Sequence, residues 1–327
     1  MAAIKKKEYS YISKYSTNTI YKPDEYYYCG DPFANACGLP GPLMGSINMF
    51  LGHSNTAKTN ALIMTAADAI KKGHLPVFII TEKKWNWEHA VQLGLQATKD
   101  ANGSWGGEFI FNDGFSYIEQ VTDFINEILD EQTKGNIPQN IIFLWDSVGS
   151  IPCKMTFDGK GGKQHNASVL ADKIGMGIHS KIGETKKESV PYYASMVVVN
   201  QPWVDLPDNP FGQPEIKAKG GNALWLASTL IFLFGNQKKA GVSFIPATKN
   251  GRKIIFATRT KISVLKNHIT GLAFQDGKII ATPHGFIYDT KEALEAYKKE
   301  YSGYWNDILT GNGEIEFGEE ESVDADI

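Results

Sequence analysis

Eleven residues, Met49 to Thr59 (MFLGHSNTAKT), constrain this chain more than any other stretch. Apolar Ile47, Met49, Phe50 and Leu51 lead into Gly52-His53-Ser54-Asn55-Thr56-Ala57-Lys58-Thr59, and a helical pattern then runs from Thr59 to Lys72 and stops at Gly73. Strand, tight loop and helix in that order make a phosphate-binding loop, because inward N–H groups and the positive end of the helix both favour an anion. In such a loop Lys58 reaches the β and γ phosphates of a nucleotide and the Thr59 hydroxyl binds Mg²⁺. The usual pattern has Gly before the Lys. Here it is Ala57, which fits if its backbone is not left-handed.

With 327 residues, 42% of them hydrophobic, the chain can bury one large domain plus appendages. No apolar run approaches the ~20 residues of a membrane span, and the first residues (MAAIKKKEYS) lack the apolar stretch of a secretion signal. Cys29, Cys37 and Cys153 are three in number and have no metal spacing, so they read as free thiols of a reducing, cytoplasmic compartment. The formal net charge of −3 hides an asymmetry. Residues 314–327 carry seven acids and no base, which leaves the rest of the chain at +4. An acidic tail on a mildly basic body suits a protein that regulates its contact with a polyanion, and equally a tail that keeps the protein soluble.

The first 35 residues are rich in Tyr and Lys and lack periodicity, as in an arm that packs on a neighbouring subunit. Pro76 to Thr81 (PVFIIT) has the continuous apolar character of a parallel strand buried on both faces, and it ends in Glu82. Helical patterns follow over 85–97 and 117–132, around a weaker strand at 108–111. The strand Asn140 to Trp145 ends in Asp146-Ser147, where a carboxylate can help to hold Mg²⁺ through water or cap a helix. Residues 155–166 are loose and polar, with Lys160 and Lys163 among glycines, and a helix is expected from Ala167 to Thr185. Ser195 to Val199 is another buried strand, ending in Asn200-Gln201, and residues 202–221 form a long Pro/Gly-rich loop. Strand patterns dominate 243–288, a helix covers 291–301, and the acidic tail is expected to be disordered. Helices alternate with strands up to residue 235 and strands alone follow, so the expectation is a mainly parallel α/β sheet extended by an antiparallel edge.

Taken in order, GLPGPLMGSINMFLGHSNTAKT (38–59), IITE (79–82), IIFLWDS (141–147), VVVNQ (197–201), GGNAL (220–224) and TRTKISVLKN (258–267) resemble the RecA-type homologous recombinases, including the phage-encoded ones. The resemblance covers about residues 36–285, and GGNAL after NQ is its most specific element. It implies a RecA-like P-loop ATPase core over 36–288, an oligomerisation arm over 1–35, a short helical segment over 289–313 and the tail over 314–327. It further implies ATP and Mg²⁺ at Gly52, His53, Ser54, Asn55, Thr56, Ala57, Lys58, Thr59 and Asp146, with Trp87 or His89, beside Asn86, against the adenine. Glu82 is then the general base that orients water, and Gln201 senses the γ-phosphate. The two loose loops become DNA-binding segments through Lys160, Lys163, Phe211, Lys217, Lys219, Gly220, Gly221 and Asn222. Lys266 resembles a cationic finger that reaches the neighbouring subunit's ATP, whereas the family's second lysine is replaced by His268.

The implied activity is ATP-dependent strand exchange by a helical filament on single-stranded DNA, acting with double-stranded DNA and needing no membrane. A ring-forming, helicase-like ATPase on the same fold stays open at this stage. So does a degenerate, non-hydrolysing mediator that binds nucleotide or DNA, a reading favoured by Ala57 and His268.

Overall fold

The computed structural model describes residues 14–17, 19–162, 164–205, 215–219, 221–236, 241–308, 315–318 and 321–323. Its centre is β1 (Ile47–Gly52), every residue of which is buried. On one side lie β7 (Ala194–Asn200), β6 (Ile141–Asp146), β2 (Leu75–Ile80) and the short β5 (Ile110–Asn112), all parallel. On the other side β10 (Leu230–Phe234) is also parallel to β1. Beyond β10 the direction reverses. The 16-residue β12 (Arg252–Asn267) runs antiparallel to it, followed outward by β13 (Gly277–Thr282) and β14 (Gly285–Tyr288). The antiparallel edge expected from the sequence is thus built largely by β12, which also pairs with β11 (Val242–Lys249).

Successive residues of a strand face opposite sides, so each central strand feeds two cores. Phe50, Phe78, Leu144, Val197 and Phe232 face α1 (Asp31–Cys37) and α2 (Lys58–Lys71), and Phe33 of α1 packs among Phe50, Phe232, Phe234 and Phe286. Met49, Leu51, Ile79, Phe143 and Val198 face the other way, against α4 (Ile118–Thr133) and a long helix. That helix runs through Gln164–Leu170, Ala171–Ile178 and His179–Thr185, its middle part wound as π-helix. Truncating one of these fully buried phenylalanines to Ala costs about 3–5 kcal/mol. α2 presents Ala61, Leu62, Ala66, Ala69 and Ile70 to the core, and Gly73 at φ 70° ends its last turn as the sequence implies.

A buried polar network ties the amino ends of the parallel strands together. The Asn140 side-chain amide donates to His74 Nε2 (2.9 Å), which leaves Nδ1 to donate to the Tyr27 hydroxyl (3.2 Å). Tyr27 in turn donates to Ser195 Oγ at 3.4 Å. Tyr27 is fully buried, and burial pushes its phenol well above the usual range.

Four expectations change. Tyr-rich residues up to 35 do not stand off as an arm: Tyr21 and Tyr26 bridge to Lys187 and Leu43, and Tyr27, Cys29 and Phe33 belong to the core. Residues 1–13 lie outside the described residues. The helix expected over 85–97 is only α3 (Trp87–Gln92), because Gly94 at φ 96° breaks it. A small hairpin, β3 (Ala97–Lys99) with β4 (Trp105–Gly107), follows. The 202–221 loop contains a two-stranded ribbon, β8 (Pro202–Asp205) with β9 (Glu215–Ala218). Part of the acidic tail is ordered: Glu316–Phe317 and Glu321–Val323 pair antiparallel with β11, and the Phe317 ring packs on Phe256 at 4.9 Å.

Candidate nucleotide site

The parallel strands put their carboxyl ends on one edge of the sheet, where open α/β sheets carry their chemistry. β1 ends at the Gly52 loop and β2 runs on to Glu82. β6 ends at Asp146 and β7 at Asn200-Gln201. Register fixes the alignment: Ile80 lies beside Asp146 and Leu51 beside Asn200.

Thr59 Oγ1 donates to Asp146 Oδ2 at 2.7 Å, joining the first turn of α2 to the end of β6. Lys58 folds its ammonium back onto the His53 carbonyl, with Thr56 Oγ1 at 3.3 Å. Both Lys58 and Asp146 are buried. Burial lowers the Lys58 ammonium to about 8 against the opposing pull of Asp146 and Glu82. Burial likewise raises the Asp146 carboxyl to about 6 against the Thr59 hydrogen bond. Each charge is thus held in a medium that disfavours it, which is what a polyphosphate with its Mg²⁺ relieves.

Two left-handed residues shape the loop, Asn55 (φ 60°) and Ala57 (φ 71°). The condition that Ala57 stay out of that region therefore fails. A residue of this hand before a helix turns N–H groups into one concavity, and an alanine does so at a cost of roughly 1–2 kcal/mol. No side chain caps α2, so the N–H groups of its first turn keep no protein acceptor from a capping residue. Gly52 is tight as well: a Cβ there would lie 2.5 Å from the Phe234 carbonyl and 2.8 Å from Thr56 Oγ1.

Beside this loop is a cavity of about 120 Å³ lined by Glu82, Ser147, Gly149, Ser150, Gln201 and Lys219. Ser147 Oγ donates to Glu82 Oε1 at 2.6 Å and orients the carboxylate. Lys219 donates to Gln201 Oε1, also at 2.6 Å. Sequence reasoning missed Ser147 and Ser150 as site residues, although Ser147 directly follows the strand-end Asp.

The remaining candidates divide. His89 Nε2 lies 3.2 Å from Asn60 Oδ1, the residue after Thr59, while Asn86 accepts from the His89 N–H as the cap of α3. Trp87 stacks on Trp105 and Phe109 in an aromatic cluster. Lys266 is buried and donates to the carbonyls of Trp225 (2.6 Å) and Leu226 (3.0 Å). It caps the helix Asn222–Ala227, and burial lowers its ammonium. The His268 N–H donates to the Thr229 carbonyl. Gly221, at φ 82° before Asn222, needs its glycine. Lys160 is exposed, 4.0 Å from Asp158. Lys163, Phe211 and Gly220, and the side chain of Lys217, lie outside the described residues.

Among the described residues no three His, Cys, Asp or Glu side chains form a metal cluster. Thr59 and Asp146 fit Mg²⁺ as that ion is usually held, by one carboxylate and a hydroxyl with phosphate oxygens and water completing the shell.

No family model matches the chain. It is 26% identical over 234 residues to Protein RecA of Wolinella succinogenes, covering 72% of this chain and 58% of that protein. It is also 26% identical over 240 residues to Protein RecA of Wigglesworthia glossinidia brevipalpis, covering 72% and 61%. The mostly parallel central sheet flanked by helices, with its antiparallel edge, is consistent with a RecA-like core. The chain spans about three fifths of the length of these curated relatives.

Proposed function

We propose that this protein is an ATP-dependent DNA-binding ATPase of recombinase type, which polymerises on single-stranded DNA and exchanges strands with a duplex. The observation that carries the reading is the meeting of Lys58, Thr59, Asp146, Glu82 and Gln201 at one sheet edge. The segments that follow the neighbouring strands β6 and β7 are the candidate DNA contacts.

Phosphates would lie on the uncapped start of α2, with Lys58 on the β and γ groups and Mg²⁺ between Thr59 and Asp146. Glu82, held by Ser147, takes the proton of the attacking water. Gln201 stands at the root of the β8–β9 ribbon, so its contact with a γ-phosphate can be passed to a DNA-binding segment. Lys266 would leave its carbonyl partners to reach the neighbouring subunit's nucleotide in a head-to-tail filament. Similarity to RecA supports action in the cytoplasm; among the described residues no helix is long and apolar enough to cross a membrane.

Fluorescence anisotropy with labelled oligo-dT tests the reading. Mg²⁺ and a slowly hydrolysed ATP analogue should tighten binding in a salt-sensitive way, and Lys58→Ala should remove the nucleotide effect. DNA affinity indifferent to nucleotide sinks it. The left-handed Ala57 favours a second reading, a member that binds without turnover. Equal steady-state ATPase rates in wild type and Lys58→Ala support that one.

A further inference from the structure

Lys219 is the last described residue before Gly220 and lies in a segment that would otherwise be read as DNA-contacting. Its backbone is not free to follow a loop. The Lys219 N–H donates to the Gln201 carbonyl at 3.0 Å, and its own carbonyl accepts from the Asn200 side-chain amide at 2.8 Å. These bonds clip the returning end of the ribbon onto the carboxyl end of β7. The side chain then runs into the 120 Å³ cavity, past Gly149, where an added Cβ would sit 3.0 Å from Lys219 Cδ and 3.2 Å from its Cβ. Glycine at 149 is what leaves room for the stem.

At the end of that stem the ammonium donates to Gln201 Oε1 at 2.6 Å, in a cavity it shares with the Glu82 carboxylate. Its charge is felt at Lys58: burial is the main cause of the lowered Lys58 basicity, Asp146 and Glu82 oppose it, and Lys219 adds to it. The Lys58 and Lys219 ammonium groups therefore feel each other's charge beside the Glu82 carboxylate, which lines the Lys219 cavity and also acts on Lys58.

We propose that Lys219 is a cation supplied in cis to the γ-phosphate of a bound nucleoside triphosphate, and that it rests on Gln201 when that phosphate is missing. The inference rests on the nucleotide reading above. On arrival of a γ-phosphate the ammonium exchanges Gln201 Oε1 for a γ-oxygen, and the Gln201 amide is released. Hydrolysis then forms a bond from water oxygen to the γ-phosphorus and breaks the bond to the β-phosphate oxygen, leaving ADP and phosphate. Glu82 takes the water proton while Lys219 meets the negative charge on the equatorial oxygens. Because Lys219 is also the end of the ribbon, the same exchange pulls on the DNA-binding segment directly.

The test compares wild type, Lys219→Met and Lys219→Arg in the absence of DNA. Affinities for fluorescent ADP and for a slowly hydrolysed fluorescent ATP analogue, both with Mg²⁺, are measured beside steady-state hydrolysis. The Met variant should bind ADP like wild type, which also reports that it is folded. It should lose at least about tenfold in analogue affinity and on the order of 10²-fold in turnover, the scale of removing one preorganised charge donor. The Arg variant should keep the preference for the triphosphate. An unchanged analogue-to-ADP ratio and turnover in Lys219→Met overturns the proposal; a separate oligo-dT anisotropy titration of the same variant that then shows the only loss would make Lys219 a DNA-backbone contact. Wild type that binds neither nucleotide overturns the nucleotide reading itself and this inference with it.

Discussion

Ala57 separates what the loop needs from what its residue prefers. Its φ of 71° lies where glycine is at ease and an L-residue loses roughly 1–2 kcal/mol. Ala57→Gly recovers that strain and gives back ~0.4–1 kcal/mol through the greater freedom of the unfolded chain. The variant should thus be more stable by somewhat under about 1 kcal/mol, read as a raised urea midpoint with an unchanged m-value. An alanine that sat comfortably would give the opposite sign. At this scale much of the site was legible: Lys58, Glu82, Asp146 and Gln201 each follow a buried apolar strand, and strand ends in an open parallel sheet converge. Ala57's conformation was not legible, since nothing local reports the φ that a distant ligand geometry demands. Nor was the direction of Lys219, which depends on the pairing of β8 with β9 across nine intervening residues, 206 to 214.

Among the elements, those read well from sequence are the ones whose pattern is set by two-sided burial or by a clear amphipathic period. β2, β6, β7 and α4 fall within a residue or so of expectation for that reason. The hairpin β3–β4 and the ribbon β8–β9 carry too few apolar residues to signal themselves and arise from non-local pairing. The polar network beneath the strands supplies a test. Burial and the neighbouring Lys72 lower the His74 imidazole below its ordinary value. A base whose folded value is depressed contributes stability above its unfolded value, near 6.5, and loses it as pH falls through the folded one. Melting temperature should therefore drop between pH 7.5 and 5.5, and drop less in His74→Phe, which has no proton to take up. The residual slope comes from His89 and His284, both also lowered by burial, while Asp146, raised by burial, acts in the reverse sense. At pH 7.5 His74→Phe costs about 1–3 kcal/mol, since the Tyr27 hydroxyl and the Asn140 amide each lose a partner.

For the whole molecule, the acidic tail now has an attachment point. Phe317 lies on Phe256 and under the Lys298 ammonium, 4.7 Å from the ring centroid, so removing everything after Gly313 would expose a buried aromatic. Truncation after Gly318 keeps that anchor while deleting five acids, Glu319, Glu320, Glu321, Asp324 and Asp326. If the tail competes with DNA phosphates, the truncated chain should bind oligo-dT more tightly at ~50 mM salt and equally at ~500 mM, where the Debye length shrinks to a few ångströms. Equal affinities at both salts would make the tail a structural edge only. The placement of β1 between β7 and β10 carries one more consequence, in the order of synthesis. Leu51 pairs with Asn200 and Gly52 with Phe234, so the middle of the sheet is translated early and gains its last neighbour some 180 residues later. At ribosomal speeds of ~5–20 residues per second that interval is on the order of ten seconds or more. Until β7 and then β10 emerge, a buried strand that is apolar but for Asn48 lacks its strand neighbours, so the loop it ends in is framed on both sides only after residue 234 has been made.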